Sequence, residues 1–391
     1  MQKTAHIIGA GISGLSAAVR LANANYKVQV HEATQQAGGR CRSYFDAATN
    51  LTIDNGNHLL LSGNRHAMAY AKSIGTEAGL VGPKRAQFWF VDLSTGQRWQ
   101  LDLGDSRLPL WVFDEARRVP DTGVLDYLAL MPLIWAGTDK LVGKAIPCEG
   151  TLYQRLVQPL LLAGGQACRP LIARDGLSSV LIEPAIKLLQ DKGASIRFGH
   201  ELREFTMAGN TIGELKFGDD TIAVAPEDVV VLAVPPRPAA ALLPGLRTPS
   251  KFRAIVNAHF RFDPPKESPP ILGVVGGLVE WLFAFPGRLS VTISNADRLV
   301  DQPREELAQA IWVDICKAAG VQGDLPPWQI VRERRATFEA TPEQNALRPG
   351  AVTAYKNLFL AGDWTDTGLP ATIEGSVRSG DRAADLVEAM R

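Results

Sequence analysis

A glycine-rich turn near the start of the chain constrains its fold more than any other feature. Gly9–Gly14 reads GAGISG, and it separates the apolar segment Ala5–Ile8 from a stretch with apolar residues at helical spacing. A second apolar segment, Lys27–His31, follows that stretch and ends at Glu32. The order of strand, glycine turn, helix, strand and acid is typical of a dinucleotide-binding βαβ unit. The start of the chain therefore predicts an α/β fold.

The residues of this unit have separate physical roles. Gly9 permits the tight turn, Gly11 lets a pyrophosphate approach the backbone, and Gly14 lets the helix pack closely on the sheet. The helix N-terminus directs N–H groups and a partial positive charge toward the phosphates. Glu32 accepts hydrogen bonds from a ribose diol and repels a 2′-phosphate, which disfavours an NADP-type ligand.

The charge balance excludes a nucleic-acid-binding role. The 391 residues carry 41 Lys and Arg against 41 Asp and Glu, so the chain lacks the basic field that nucleic acid requires. Hydrophobic residues make up 46% and charged residues 21%, which is the balance of a globular protein. The length predicts two or three domains.

The cysteines give no sign of a metal site or of disulfides. Cys41, Cys148, Cys168 and Cys316 lie far apart and away from any histidine at metal-ligand spacing, so we expect reduced thiols and no metal. The N-terminus has no signal-peptide pattern, and the longest apolar run, Tyr127–Trp135, is shorter than the roughly 20 residues of a membrane span. These features predict a cytoplasmic protein without a spanning helix.

Five later segments have clear secondary-structure patterns. Val229–Val234 is wholly apolar and predicts a strand that is buried on both faces. Ser178–Gln190 and Arg304–Ala319 have helical periodicity, and Ile271–Ile293 reads as an apolar hairpin. Asn357–Asp363 reads as a strand that runs into Gly-Asp ahead of a C-terminal helix.

The segment after Glu32 carries a family resemblance. Ala37–Ser43 reads AGGRCRS, and with the opening βαβ unit and the closing strand it resembles the FAD-binding amine-oxidase and carotenoid-desaturase superfamily. The resemblance implies that Arg40 meets the pyrophosphate or the flavin edge and that Asp363 holds the ribityl chain or the pyrophosphate. It also implies that backbone N–H groups near Thr372 face the flavin. The full implied FAD-binding set is Gly9, Gly11, Ile12, Ser13, Gly14, Glu32, Ala33, Gly38, Gly39, Arg40, Leu202, Gly362, Asp363, Thr372 and Ile373.

The resemblance also implies the domain organisation. A discontinuous Rossmann-like FAD-binding domain is expected from residues 1–62, 172–245 and 345–391. A mixed α+β substrate-binding domain is expected from the two insertions, 63–171 and 246–344. No second Gly-x-Gly-x-x-Gly occurs in the sequence, which disfavours a nicotinamide-binding domain.

Three stretches narrow the resemblance to one group. Ile53–Leu61 (IDNGNHLLL), Gly276–Phe283 (GGLVEWLF) and Gly362–Pro370 (GDWTDTGLP) are similar to the bacterial hydroxysqualene dehydroxylases of hopanoid synthesis. This similarity implies a lipophilic isoprenoid substrate and the reductive loss of its hydroxyl group, with hydride from reduced flavin. Carotenoid desaturation and other flavin amine-oxidase chemistry are the alternative activities. An isoprenoid carrier of the same fold is the non-enzyme alternative.

Such a reaction needs a proton donor in an apolar cavity, and the candidates are Asp54, His58 and Glu374. Each also has an ordinary structural interpretation. Asp54 precedes a turn, His58 leads an apolar run like a core histidine, and Glu374 lies in the first turn of a helix. Two tryptophans, Trp281 and Trp364, are expected either in the core or on the cavity wall.

A lipophilic substrate predicts contact with a membrane. Leu108–Phe113 is rich in large apolar residues and is flanked by Arg107, Arg117 and Arg118. This arrangement predicts a segment that lies in the membrane interface, peripheral on its inner face, with packing in the domain core as the alternative.

Overall fold

The computed structural model describes residues 2–106, 108–128 and 165–390. Cys148, Arg107 and most of the apolar run Tyr127–Trp135 lie outside the described residues. In the described part, Cys41, Cys168 and Cys316 are free thiols. There, too, every helix is too short or too polar to pass through a bilayer.

A five-stranded parallel sheet collects strands from the start, middle and end of the chain. Its centre is β1 (Thr4–Ile8), flanked by β2 (Lys27–His31) and β14 (Val229–Leu232), and its edges are β10 (Ser195–Arg197) and β20 (Leu358–Leu360). Neighbouring strands are all parallel. This arrangement and the helices around it confirm the predicted α/β class.

Helices cover this sheet and close its core. Helix α1 (Ile12–Asn23) packs against the C-terminal helix α8 (Ile373–Glu388) so tightly that a Cβ on Gly380 would lie 2.2 Å from the Ser13 carbonyl oxygen. Helices α2 (Arg65–Ser73) and α4 (Glu183–Asp191) bury residues in the same hydrophobic cluster as the sheet. Because α2 lies within residues 63–171, the predicted boundary near residue 62 cuts through a packed unit, and the domain division stays a prediction.

A seven-stranded mixed sheet forms the second large layer. Its strand order is β19, β15, β18, β17, β16, β7 and β8, and only β16 and β7 pair in parallel. Helix α6 (Arg304–Ala319) covers it and buries Trp312 against Phe260. The strands are β7 (Gln87–Asp92), β8 (Arg98–Asp102), β15 (Phe252–Arg261), β16 (Ile271–Val275), β17 (Trp281–Phe285), β18 (Arg288–Ile293) and β19 (Trp328–Phe338).

Smaller elements connect the two layers. The remaining strands are β3 (Ser43–Asp46), β4 (Leu51–Asp54), β5 (Leu60–Leu61), β6 (Leu80–Val81), β9 (Pro170–Ala173), β11 (Glu204–Ala208), β12 (Thr211–Phe217) and β13 (Asp220–Ala223). The remaining α-helices are α3 (Val124–Leu128), α5 (Pro236–Leu242) and α7 (Pro342–Asn345). Short 3₁₀ turns occur at Gly39–Cys41, Glu77–Gly79, Leu110–Phe113, Glu115–Arg117, Gly165–Ala167 and Ala296–Arg298.

One predicted helix was wrong in its details. Ser178–Gln190 was expected to be a single α-helix, but Ser178–Ile182 is a π-helical turn and α4 begins at Glu183. Pro184 has no N–H to donate to the carbonyl of Val180, so the α-helical bond pattern cannot pass that point. The Val180 carbonyl instead accepts a hydrogen bond of 2.6 Å from the Thr76 hydroxyl.

Candidate functional site

A cavity of about 1600 Å³ opens where the strands of the parallel sheet end. This volume exceeds the roughly 300–1,000 Å³ of an ordinary small-molecule pocket, so the cavity has room for a dinucleotide and a second molecule. Among the predicted FAD-binding residues, Gly14 alone does not line it. Those on the wall are Gly9, Gly11, Ile12, Ser13, Glu32, Ala33, Gly38, Gly39, Arg40, Leu202, Gly362, Asp363, Thr372 and Ile373.

The three glycines of the opening turn have different surroundings. Gly9 has a φ of 104°, and a Cβ there would lie 2.6 Å from the Ala233 carbonyl oxygen. A Cβ on Gly14 would lie 2.0 Å from the Gly9 carbonyl oxygen, so Gly14 serves the packing of α1 on the sheet. A Cβ on Gly11 would meet no protein atom within 4 Å and would occupy cavity space instead. Gly11 therefore leaves open the space in front of the helix N-terminus, and such a position suits the phosphates of a ligand.

Glu32 lies at the carboxyl end of β2 and is held by the backbone around it. One carboxylate oxygen accepts a hydrogen bond of 2.7 Å from the Ala10 N–H. The other accepts bonds from the Thr34 N–H at 2.9 Å and from the Thr34 hydroxyl at 2.8 Å. These bonds fix the carboxylate beside the glycine turn, and its free lone pairs remain for hydroxyl donors.

An ion pair joins the first and last segments of the chain across the cavity. A guanidinium nitrogen of Arg40 lies 2.7 Å from a carboxylate oxygen of Asp363, and Arg40 also donates to the Ala336 carbonyl. The negative charge of Asp363 raises the pKa of Arg40. Arg348, which the sequence analysis did not identify, is buried and donates to the carbonyl oxygens of Asp363 at 3.1 Å and Thr365 at 2.6 Å. Nothing in its surrounding sequence marks this role, because it depends on how the loop after β20 folds back.

The N-terminus of α8 also faces the cavity. Thr372 caps this helix, and its hydroxyl accepts a bond of 3.0 Å from the Gly375 N–H. The Ser379 hydroxyl accepts a bond of 2.7 Å from the Gly362 N–H and so ties β20 to the same helix. At the other end of the cavity, the buried Leu202 lies on the wall beside His200.

Two of the three candidate proton donors have structural partners. Asp54 is buried and is not part of the cavity wall, and one carboxylate oxygen accepts from the Ser43 hydroxyl at 2.6 Å and the Leu177 N–H at 2.9 Å. Glu374 lies on the wall, but its oxygens accept from the first N–H groups of α2, at His66 and Ala67. Both placements favour anchoring over proton donation.

His58 differs from these two carboxylates. Its partly exposed side chain lines the cavity, and no hydrogen bond to its ring occurs among the described residues. Desolvation lowers the pKa of His58 to about 4, against a smaller opposing effect of Asp54. The imidazole is therefore neutral at pH 7 and presents one donor and one acceptor to the cavity.

The loop that carries His58 is held by the seven-stranded sheet, which the sequence analysis missed. The side-chain amide oxygen of Asn257 accepts from the Asn57 backbone N–H at 3.3 Å and from the Thr292 hydroxyl at 2.7 Å. The Asn57 amide donates to Thr292 at 3.3 Å. The buried His259 lies 3.0 Å from the Asp54 carbonyl oxygen, and burial lowers the pKa of His259 to about 3, so it stays neutral. The local sequence gives no signal for these long-range contacts.

The two tryptophans have different positions. Trp281 is partly exposed on the cavity wall. Trp364 also borders the cavity, but it is only 2% exposed, and its indole N–H donates to the Val234 carbonyl at 3.0 Å. Within the described residues, no cluster of three or more His, Cys, Asp or Glu side chains is arranged to bind a metal ion.

Comparison with known proteins gives a consistent result. The model of the flavin containing amine oxidoreductase family matches residues 12–163 and 154–388. The chain is 68% identical to a hydroxysqualene dehydroxylase of Sinorhizobium fredii over 99% of this chain and 98% of that protein. It is 65% identical to a hydroxysqualene dehydroxylase of Rhodopseudomonas palustris over 99% of both chains.

More distant proteins share the fold. A 15-cis-phytoene desaturase of Synechococcus elongatus is 21% identical over 97% of this chain and 95% of that protein. The solved structure of cyclohexylamine oxidase from Brevibacterium oxydans superposes with a TM-score of 0.70, at 18% identity over all of both chains. This likeness confirms the fold that the resemblance implied.

Proposed function

Since this chain belongs to the flavin containing amine oxidoreductase family and, within it, to the hydroxysqualene dehydroxylases, we propose that it converts hydroxysqualene to squalene with FAD as its cofactor. The observation that carries this proposal is the 68% identity to such a dehydroxylase over 99% of the chain. The 21% identity to a phytoene desaturase is far lower, so carotenoid desaturation is not favoured. The carrier alternative is not favoured either, because these relatives are enzymes.

The cavity wall fits the two halves of FAD. Gly11 leaves open the space in front of the α1 N-terminus, where the pyrophosphate would approach with Arg40 beside it. Glu32 would accept the ribose hydroxyls, and backbone groups at Leu202 would meet the adenine. Asp363 would bind the ribityl chain or the pyrophosphate, and it already pairs with Arg40 at 2.7 Å. We assign this role to residues 1–62, 172–245 and 345–391.

The flavin end of this site lies at the N-terminus of α8. Backbone N–H groups at Thr372 and Ile373 would face the flavin there, and the partial positive charge of a helix N-terminus favours an anionic reduced form. Reduced FAD, when bound, supplies the hydride of the reaction. The chain itself must therefore bind the substrate, orient its hydroxyl group and provide one proton.

Part of the remaining cavity wall suits an isoprenoid chain. Leu59, Leu61, Phe88 and Trp281 line it, and all four side chains are partly exposed. Burying their apolar surface against a hydrocarbon contributes about 25 cal/mol for each Å² removed from water. We propose that the insertions 63–171 and 246–344 bind the substrate, together with Leu59 and the short strand β5 that follows it.

His58 is the proposed contact for the substrate hydroxyl. The carbon–oxygen bond breaks as the oxygen takes up a proton, water leaves, and the carbon receives the hydride. His58 is the one candidate donor that reaches the cavity without a partner among the described residues. Its lowered pKa makes the protonated imidazole a stronger acid than an ordinary histidine. Asp54 and Glu374 would act as anchors of the loop and of helix α2.

Contact with a membrane is a separate part of the proposal. Leu108, Leu110 and Phe113 are 64%, 59% and 66% exposed, and the partly exposed Trp111 packs edge-on against Tyr127. Large exposed apolar side chains beside a tryptophan suit the interface of a bilayer, in which the substrate dissolves. We propose that the cytoplasmic protein contacts the inner face of the membrane through residues 108–113.

Anaerobic incubation of photoreduced holoenzyme with hydroxysqualene tests the proposed activity. We expect squalene to form as the flavin becomes oxidised, one equivalent of each. Flavin that stays reduced in the presence of hydroxysqualene would contradict the proposal.

A further inference from the structure

The aromatic ring of Trp281 has a fixed place on the cavity wall. Its centroid lies 5.9 Å from that of Phe90, and the Phe90 ring stacks in turn on Trp99 at 5.4 Å. Gly273 lies on β16, between the strand β7 that carries Phe90 and the strand β17 that carries Trp281. A Cβ on Gly273 would lie 2.3 Å from the Phe90 ring. The absence of a side chain at Gly273 therefore lets Phe90 support one side of Trp281, while part of the indole stays open to the cavity.

Two sets of contacts connect Trp281 to the loop that carries His58. Trp281 pairs with Thr292 across β17 and β18, and the Thr292 hydroxyl lies 3.3 Å from the Asn57 amide nitrogen. Trp281 and Leu59 also pack against the same small cluster, which consists of Ile172, Ile271, Phe283 and Phe285. Asn57 and Leu59 are the neighbours of His58 in the chain. The indole therefore lies on the part of the wall to which the loop carrying His58 is attached, and both rings line the same cavity.

This arrangement meets a need of the proposed reaction, on which the inference rests. When the hydroxyl leaves as water, the carbon that held it becomes positive until the hydride arrives. Desolvation in an apolar cavity disfavours that charge, and an aromatic face within about 6 Å stabilises it without a negative group that would form a bond to the cationic carbon. Tryptophan has the strongest such face among the aromatic side chains.

We infer that Trp281 is a catalytic residue. The face of its indole ring stabilises the positive carbon that remains when the hydroxyl group leaves as water. No atom is transferred to or from the indole. The proton goes to the departing oxygen, the electron pair of the carbon–oxygen bond leaves with the water, and the hydride comes from the reduced flavin that the activity supplies. Phe88, which is also partly exposed on the wall, is an alternative ring on the same sheet.

Two substitutions at Trp281 distinguish the effect of the aromatic face from the effect of an apolar side chain that fills space. In photoreduced holoenzyme we expect Trp281→Phe to lower the single-turnover rate about 3-fold and Trp281→Leu about 10-fold, within the range of measured cation–π effects. Trp99→Phe is the matched control, because Trp99 belongs to the same aromatic row but is absent from the cavity wall. Trp99→Phe should leave the rate unchanged, and flavin content and melting temperature verify folding in all three variants.

Binding to oxidised holoenzyme provides a readout that does not depend on turnover. Two probes are titrated while the flavin absorbance is followed: squalene, which is neutral, and a trialkylammonium analogue whose nitrogen replaces the cationic carbon. We expect Trp281→Leu to weaken the binding of the ammonium probe about 10-fold and the binding of squalene less than 3-fold. Equal weakening of both probes, or an unchanged single-turnover rate, would overturn the inference and leave the dehydroxylase activity intact. Wild-type enzyme that fails to convert hydroxysqualene would overturn both proposals.

Discussion

At the scale of single residues, the proposed proton chemistry depends on one histidine. His58 lines the cavity, and the surrounding protein lowers its pKa to about 4, so at pH 7 only about one molecule in a thousand carries the protonated ring. Asp54 and Glu374 accept hydrogen bonds that hold the surrounding backbone. These contacts support the proposal that His58 donates the proton and that the two carboxylates hold the backbone.

This division predicts a pH dependence. If the protonated ring of His58 donates the proton, kcat/KM should rise about tenfold for each unit by which the pH falls from 8 to 6. His58→Gln should lower the rate by about 10²-fold and remove the slope. His66→Gln is the control, since His66 pairs with Asp381 at 2.6 Å and its pKa is raised mainly by that hydrogen bond. A slope that persists in His58→Gln would exclude this role.

The lowered pKa values of the buried histidines limit the pH range in which the folded enzyme can be assayed. Burial lowers the pKa values of His31 and His259 to about 3, as it lowers that of His58 to about 4. The unfolded chain binds these protons near pH 6.5 and the folded chain does not, so stability falls as the pH drops below about 6.5. Melting temperatures at each pH therefore belong with the rate measurements.

At the scale of secondary-structure elements, the opening strand and helix are the proposed support for the cofactor. Gly14 brings α1 against the turn, and Gly11 leaves open the space in front of the helix. These two glycines have separable effects, because one is enclosed by protein atoms and the other borders only the cavity.

Alanine at each position tests this separation. Gly11→Ala should weaken FAD binding about 10- to 100-fold and leave the apoprotein's melting temperature unchanged, since its methyl group enters only the cavity. Gly14→Ala should lower the free energy of unfolding by about 1–3 kcal/mol, because the methyl group would lie 2.0 Å from the Gly9 carbonyl oxygen. Flavin titration and thermal unfolding of both variants provide the measurements. If the two variants lost FAD affinity and stability to the same extent, Gly11 and Gly14 would not have the separate roles described.

Elements with strong local signals were predictable from the sequence, and those that depend on distant contacts were not. Helix Arg304–Ala319 was predicted to the residue, because its apolar spacing ends at Gly320, which adopts a left-handed φ of 66°. The break in Ser178–Gln190 follows from Pro184, which is a local signal, whereas the Thr76 hydroxyl that bonds to the freed Val180 carbonyl comes from another part of the chain. The anchoring of the His58 loop by Asn257 and Thr292 is equally remote in sequence. The buried Arg348 was missed for a similar reason, because its bonds to the carbonyl oxygens of Asp363 and Thr365 depend on how the chain folds back after β20.

At the scale of the whole molecule, three separate chain segments build one cavity. The opening turn, the strand Val229–Leu232 and the segment after Leu360 meet there, and the Arg40–Asp363 ion pair connects the outer two. The glycine-rich motifs at both ends predicted this convergence. Their spacing carries no information on the substrate side of the cavity, where residues from several strands of the seven-stranded sheet contribute to the wall.

The exposed apolar segment is also a property of the whole molecule. If residues 108–113 contact a membrane, Trp111→Ser with Phe113→Ser should reduce co-sedimentation with liposomes and leave the flavin content unchanged. Phe45→Ser is the matched control, since Phe45 is 64% exposed and belongs to a different element, β3. Sedimentation that is unaffected by the double substitution would end the membrane proposal.

The central claim is that reduced flavin in this cavity gives a hydride to the carbon that loses its hydroxyl group. Anaerobic turnover of hydroxysqualene by enzyme photoreduced in D₂O tests it most directly, because the flavin N5 hydrogen exchanges with solvent. We predict squalene with one deuterium, located on the carbon that carried the hydroxyl, and one equivalent of oxidised flavin. Squalene without deuterium at that carbon, or no squalene from fully reduced enzyme, would contradict the account.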